Sequence, residues 1–198
     1  MNLTKIQKAA LAGAILGDAY LQATGRENAR LRFEHSLKQR LYLEWKVALF
    51  PELFQGKSTI LRRVHPDTKR TYSYIRHQSN TFFILGEIRR IFYPNGKKRI
   101  PDNLIDWLTD NIALAVWYFD DGYYYPRDRC AYIYLGRVSL EEAETSQIAI
   151  IEKFKLSVRV LDKKTKGFAL YFSPQETLKL AEIVRPFILP SMAYKIPS

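Results

Sequence analysis

The sequence predicts an α+β fold built from two pseudo-symmetric repeats, each running α-β-β-α-β-β-α. Three observations carry that prediction. An apolar run ending in an aspartate beside a small residue occurs once in each half, as Leu11-Ala12-Gly13-Ala14-Ile15-Leu16-Gly17-Asp18-Ala19 and as Leu114-Ala115-Val116-Trp117-Tyr118-Phe119-Asp120-Asp121-Gly122. Each half also closes in the same way, on a proline, six residues and a second proline, with a basic residue before Ile-Pro: Pro94 to Pro101 and Pro190 to Pro197. Between these landmarks lie short runs of alternating polarity grouped around turn residues, which is the pattern of hairpins. Duplication followed by divergence accounts for the match, with one repeat over 1–103 and the other over 104–198, fused into one compact pseudo-dimer.

The elements follow in order. Thr4-Lys5-Ile6-Gln7 reads as a capping box that opens the first motif helix. Residues 19–23 and 31–35 are strand candidates around the polar turn Thr24-Gly25-Arg26-Glu27-Asn28. Helical spacing over 37–50 ends before Pro51. Residues 57–65 and 69–77 form a second hairpin around Pro66-Asp67. Residues 79–92 read as a helix stopped by Pro94-Asn95-Gly96. In the second half, 109–120 is the motif helix, and 122–125 pairs with 131–137 across Pro126-Arg127-Asp128. Ser139-Leu140-Glu141-Glu142 is a capping box for a helix to about Phe154. Residues 156–161 and 167–172 make the last hairpin, and Ser173-Pro174-Gln175-Glu176 supplies an N-cap, a proline at the first helical position and a glutamate for the final helix.

Composition narrows the function. The 198 residues carry a formal charge of +11, yet 47% are hydrophobic and 14% aromatic. That apolar content excludes a disordered basic tail, and a folded basic surface points to a polyanion, most often nucleic acid. The single cysteine, Cys130, excludes an intramolecular disulfide and a cysteine-based zinc finger, and suits a reducing, intracellular compartment. No apolar run approaches the roughly 20 residues of a membrane span, so no membrane partner is expected. His35, His65 and His77 form no zinc or HNH constellation and read as strand-packing or DNA-contacting residues. The paired aspartates are the chemical signal. A carboxylate at a helix C-terminus adds charge where the macrodipole is already negative, and doing so twice calls for a compensating cation. A metal-dependent enzyme is the reading that follows.

The paired motifs resemble those of the LAGLIDADG homing endonucleases, specifically the single-chain, two-repeat kind. The second motif together with Tyr194-Lys195-Ile196-Pro197 is similar to the subgroup encoded within organellar and microbial introns. The resemblance covers nearly the whole chain. It implies that the motif helices pack together at the centre on a pseudo-twofold axis, where Ala12, Gly13 and Ala115 permit close approach, with Leu11, Ile15, Leu114 and Tyr118 in the core. It implies that Asp18 and Asp121 lie near one another below the DNA as metal ligands, with the backbone carbonyls of Gly17 and Asp120 as further ligands. Hard oxygen donors suit Mg²⁺, with Mn²⁺ or Ca²⁺ as other occupants of the same sites. The family's basic residue beside each centre maps by position to Lys98 and Lys195, where a cation would polarise the attacking water or stabilise transition-state charge. Aligning the two Ile-Pro ends pairs Lys195 with Arg99 instead. Two departures from the family stand out: Ala19 replaces a glycine, and where polar strand residues often flank each centre the second half has Gly136-Arg137, against Gln22 and Gln39 in the first. Unequal cutting of the two strands is the expectation.

By the same resemblance, the strands of both halves form an antiparallel β saddle that binds DNA. Alternation then assigns faces. Leu31 and Phe33 are expected inside, leaving Arg30, Arg32 and Glu34 on the DNA. Ile60 and Val64 are expected in the core, with Thr59, Arg63 and His65 outward. Ile75 should point inward and Arg70, Arg76 and Gln78 outward. The second half offers Tyr132, Tyr134, Arg137, Arg159 and Tyr171, with Lys163, Lys164 and Lys166 at a hairpin tip as phosphate contacts. The resulting expectation is a site-specific homing endonuclease acting as a monomer with no obligate protein partner. It would make a staggered double-strand break with short 3′ extensions in double-stranded DNA at a long asymmetric target, by metal-dependent phosphodiester hydrolysis. An intron RNA maturase, bound to its own intron RNA, and a non-cutting DNA-binding regulator of the same fold are the alternatives.

Overall fold

The capping box at Thr4 forms as its spacing requires: Thr4 Oγ1 accepts from the Gln7 N–H and Gln7 Oε1 accepts from the Thr4 N–H. It opens α1 (Lys5–Leu16) in a computed structural model of the chain that describes residues 2–197. The remaining helices are α2 (Arg40–Ala48), α3 (Phe83–Phe92), α4 (Asn111–Asp121), α5 (Leu140–Phe154) and α6 (Pro174–Val184). The strands are β1 (Tyr20–Ala23), β2 (Ala29–Ser36), β3 (Thr59–Val64), β4 (Thr71–Gln78), β5 (Gly122–Tyr125), β6 (Cys130–Gly136), β7 (Val158–Asp162) and β8 (Phe168–Phe172). They form two four-stranded antiparallel sheets of identical topology, β1-β2-β4-β3 and β5-β6-β8-β7.

By its packing the chain divides into two units, residues 18–90 and residues 3–17 together with the chain from Ile91 onward. The first motif helix therefore belongs to the unit that holds the second. In the unit of residues 18–90, α2 packs on β2 and β4. Leu21, Leu31, Phe33, Tyr42, Leu43, Phe50 and Ile75 fill its core. Lys46 is fully buried there, with its ammonium 4.7 Å from the Tyr42 ring centre and 4.9 Å from that of Phe33. Cation–π attraction to two ring faces offsets part of the cost of taking the charge out of water.

In the other unit, α1 lies along α4, and α4 also meets α6 and β6. Every residue of α1 from Ala9 to Leu16 is buried, as is every residue of α4 from Ile112 to Phe119. A helix that is apolar all round belongs in a core. Their approach is set by Gly13, where a side-chain Cβ would stand 2.1 Å from the carbonyl oxygen of Ala113. Only the absence of a side chain permits this contact. The capping box at Ser139 and Glu142 and the Ser173 N-cap with Pro174 also form as expected.

The structure departs from the sequence reading at several places. The helix expected over 79–92 starts only at Phe83, because Ser79 and Phe82 continue beside β2: Ser79 N–H donates to Leu31 O, and Ala29 and Phe82 exchange both backbone bonds. The stretch 37–50 is a 3-10 turn over Leu37–Gln39 followed by α2. The second motif helix starts two residues later than predicted, since Asp110 caps it by accepting from Ile112 N–H, and it runs through Asp121. Ile60 and Val64 were expected in the core. They do lie on the sheet face opposite Thr59 and Arg63, but remain 56% and 61% exposed. β3 is an edge strand beside β4, and α2 packs on β2 and β4.

Candidate active site

The C-terminal ends of the two motif helices meet. Gly17 caps α1, and a Cβ built on it would lie 2.5 Å from the Asp120 Cβ and 2.6 Å from its Oδ2. The chain's next residue after Gly17 is Asp18, and α4 ends on Asp120 and Asp121. The last carbonyls of a helix lack intrahelical partners. Here each set is met by a lysine from far along the chain. Lys98 Nζ donates to Leu16 O at 2.9 Å and Gly17 O at 2.6 Å. Lys195 Nζ donates to Phe119 O at 2.6 Å and Gly122 O at 2.9 Å, with Asp120 O at 3.4 Å. A cation in the last turn is the favourable sign for the helix dipole. The positive charge that the sequence calls for at these ends is thus supplied in part by the chain itself.

The same geometry separates Lys98 from Arg99. Arg99 binds Glu142 instead of a helix end, its Nε donating to Glu142 Oε1 at 2.8 Å, and the Ile100 N–H donates to the same carboxylate. Burial alone would push the Glu142 carboxyl up, but the Ser139 and Ile100 N–H groups and the Arg99 guanidinium more than offset it and hold the group below its ordinary value. Glu142 therefore clamps the segment that carries Lys98. On the other side, the Tyr118 hydroxyl donates to the Lys195 carbonyl at 2.6 Å. Burial pushes that hydroxyl well up, so it stays a neutral donor.

Asp121 and Lys98 line a shared cavity of about 430 Å³ with Gly17, Trp117, Gly136 and Arg137. The bulge in β6 between Tyr134 and Gly136 opens this wall, with Gly136 at φ +70°. Gly167 in the β7–β8 turn approaches so closely that a Cβ there would overlap Gly136 O. Arg137 is exposed and its Nε donates to Thr165 O. In the unit of residues 18–90, the Asp18 carboxylate is half-exposed, 3.7 Å from Nδ1 of the buried His35. The sequence reading did not connect these two. The signal was the alternation in β2, which puts His35 on the inward side with Leu31 and Phe33.

The donors gathered at the helix ends are carboxylate and carbonyl oxygens. That set fits a hard divalent cation such as Mg²⁺ and not a thiophilic one. A carbonyl oxygen has two lone pairs, so a lysine bond at Gly17 or Asp120 leaves acceptor capacity for a metal.

The first sheet presents the expected outward row. Arg32 pairs with Gln78, Glu34 with Arg76, and Arg76 with Thr59, which sets Arg30, Arg32, Glu34, Thr59, Arg63, Arg76 and Gln78 on one face. Much of this row is internally bonded. Gln22 Oε1 accepts from Arg30 and Arg32, and Glu34 takes ion pairs of 2.6 Å from both Arg63 and Arg76. Arg70 lies before β4, and its carbonyl accepts from the His65 N–H. The His65 ring folds the β3–β4 turn by accepting from the Asp67 and Thr68 N–H groups.

The second sheet shows a different face. Tyr123, Tyr132 and Tyr171 stand in register and join Tyr125 and Tyr134 through ring contacts of 4.6–5.9 Å. Tyr125 and Tyr134 share a hydroxyl hydrogen bond of 2.6 Å. Arg159 lies over the Tyr171 ring at 4.9 Å, and Lys163 lies over Tyr132 at 4.3 Å. Lys163 thus belongs to this face, while Lys164 and Lys166 are exposed in the short turn beyond it. Tyr123 and Tyr125 escaped the sequence reading, although period-two spacing in Gly122–Tyr125 held them.

The two sheets share one topology, and lysine-capped helix ends bear the aspartates. The family model for LAGLIDADG DNA endonucleases matches residues 8–180, and the chain belongs to that family. A probable intron-encoded endonuclease of Wickerhamomyces canadensis is 26% identical over 201 residues, covering 98% of this chain and 85% of that one. The cytochrome b mRNA maturase bI2 of Debaryomyces hansenii is 25% identical, covering 93% and 71%. RecA of Mycobacterium shimoidei is 30% identical over 93% of this chain, which spans only 44% of that protein's length. Among solved structures, the homing endonuclease I-WcaI bound to its DNA recognition sequence superposes with a TM-score of 0.89 at 27% identity, covering 100% of this chain and 88% of that one. I-DmoI in complex with DNA and Mn shares the fold, with a TM-score of 0.53 at 13% identity over 93% and 99% of the two chains.

Proposed function

We propose that this chain is a site-specific homing endonuclease that makes a staggered double-strand break in an asymmetric DNA target, its repeats over 1–103 and 104–198 serving as the two halves of one monomer. The observation that carries the reading is the meeting of the motif-helix ends, where Gly17 touches Asp120 and Asp121 shares a cavity with Lys98. Asp18 and Asp121, with the carbonyls of Gly17 and Asp120, would hold Mg²⁺. When bound, the ion supplies neutralisation of the negative helix ends and a water of lowered pKa. The chain's own groups do the rest. The lysine caps hold the helix ends at fixed spacing, so the carboxylates do not rearrange as charge develops on the phosphate. Arg137 and the two sheet faces anchor the backbone and bases, the first through arginine and glutamine, the second through a tyrosine surface. The unlike faces support an asymmetric target.

The Debaryomyces maturase relative favours one second reading, assistance to RNA splicing on the same fold. A randomised duplex library incubated with the protein and Mg²⁺ tests the nuclease reading. Cut molecules are expected to converge on one non-palindromic sequence. A library that is bound and enriched but left uncut would instead identify a DNA-binding regulator.

A further inference from the structure

One carboxylate ties together the outward row of the first sheet. Glu34 Oε1 takes Arg63 Nη1 at 2.6 Å, while Glu34 Oε2 takes both Nε and Nη2 of Arg76 at 2.6 Å. The Arg63 guanidinium also lies 5.0 Å from the Tyr74 ring centre, so a carboxylate and an aromatic face hold it together. The Glu34 side chain is 21% exposed against 50% for Arg63, so an approaching ligand meets the guanidinium before the carboxylate. Burial alone would push the Glu34 carboxyl up, but Arg63 and Arg76 outweigh it and hold the group below its ordinary value. A guanidinium has five N–H donors. Arg63 engages Glu34 through one nitrogen and Arg76 through two, and each keeps N–H groups for a second acceptor.

We propose that Glu34 does not itself read DNA but is a positioning residue that aims Arg63 and Arg76 at guanine and withholds them from phosphate. The inference rests on the nuclease reading above, with the first sheet on the DNA, and says where the base selectivity of that half arises. The alternation in β2 puts Glu34 among the DNA contacts; its ion pairs put it one step behind them. Two effects follow from a carboxylate in this place. An arginine side chain that is already held has lost its rotamer freedom before DNA arrives, so docking on a base edge costs less. A loose arginine also bonds phosphate oxygens, which carry no sequence information. The charge of Glu34 repels phosphate and offsets part of the guanidinium charge, while the remaining N–H groups still match the O6 and N7 acceptors of guanine. Selectivity rises and sequence-independent affinity falls.

The target selected from the random library, and duplexes in which each of its base pairs is replaced in turn, are titrated by fluorescence anisotropy at several salt concentrations. EDTA is present, so that binding is read apart from cleavage. Arg63→Ala and Arg76→Ala are expected to mark guanines, the positions where each variant stops discriminating. Glu34→Gln is expected to lose about 10-fold of the discrimination at those same guanines and to bind unrelated duplex more tightly. Its log affinity should fall more steeply with log salt, by about one unit for each arginine released to phosphate. Arg76→Ala made in the Glu34→Gln protein should then cost less discrimination than it does in the wild type. Discrimination lost by Glu34→Gln at a cytosine instead would make Glu34 itself the base contact and overturn the proposal. Unchanged discrimination with an unchanged salt slope would overturn it too. If Glu34→Gln does not fold, Glu34→Asp decides, because the shorter carboxylate cannot span both arginines: discrimination lost at either guanine upholds the proposal, and full discrimination at both refutes it. Equal binding of every duplex by the wild type would count against the site-specific nuclease reading itself, a result distinct from all of these.

Discussion

Asp121→Asn is expected to lose DNA cleavage by at least about 10²- to 10³-fold, the scale of removing one transition-state charge stabiliser, while folding and binding DNA as the wild type does. The substitution keeps the shape of the side chain and removes its charge. Asp121 sits in the last turn of α4 beside Asp120, where the helix dipole disfavours negative charge, so the neutral variant is relieved of that repulsion. Repulsion between this site and phosphate also falls, so affinity for the target should hold or rise slightly. Asp18→Asn should behave likewise. Cleavage is read from end-labelled target and binding from a gel shift at fixed salt. An Asp121→Asn protein that cuts at the wild-type rate would remove the carboxylate from the mechanism.

Gly13→Ala is expected to destabilise the fold by about 3 kcal/mol or more, at the upper end of overpacking costs. The sign decides between two effects. Helix propensity alone favours alanine over glycine by about 0.8–1 kcal/mol in a helix interior, which predicts a more stable variant. The close approach predicts the reverse, because the new methyl would lie 2.1 Å from the Ala113 carbonyl oxygen and 3.1 Å from its Cα. Backbone atoms in a buried helix cannot rotate aside as a side-chain tip can. α1 and α4 would have to separate along a seam that is fully buried on both sides. For a chain of this size each kcal/mol moves the melting temperature by roughly 2–4 °C, so a fall of about 10 °C is the expected reading. An unchanged or raised melting temperature would mean that the motif helices are not in this contact. The variant should also lose cleavage, since the helix ends that carry the aspartates move with the helices.

What the sequence made legible was mostly local. Capping boxes at Thr4 and Ser139 and the alternation in β2 need only neighbouring residues to specify them, and they form as read. The same alternation correctly set Ile60 and Val64 opposite Thr59, but it cannot say whether a second layer covers that face, and over an edge strand none does. The late start of α3 has the same cause: Ser79 and Phe82 satisfy their backbone on β2, some fifty residues away in the chain, and local helical spacing carries no trace of that competition. At the site, the aspartates and Lys195 stood out by motif, and the sequence left Lys98 and Arg99 open. Only packing separates them, through a carboxylate at Glu142 that draws Arg99 away and leaves Lys98 on the helix end. His35 reads from the sequence as a strand-packing or DNA-contacting residue, and its closeness to Asp18 joins two elements with no spacing rule between them.

If aspartates placed at negative helix ends serve a divalent cation used in cutting DNA, with the lysine caps meeting only part of the charge demand, cleavage must depend on that cation. Cleavage of the selected target by the wild type, measured in Mg²⁺ and again after exchange into EDTA, tests it most directly. Double-strand product is expected in Mg²⁺, none in EDTA, and full recovery when Mg²⁺ is restored. Cleavage that continues undiminished in EDTA would contradict it.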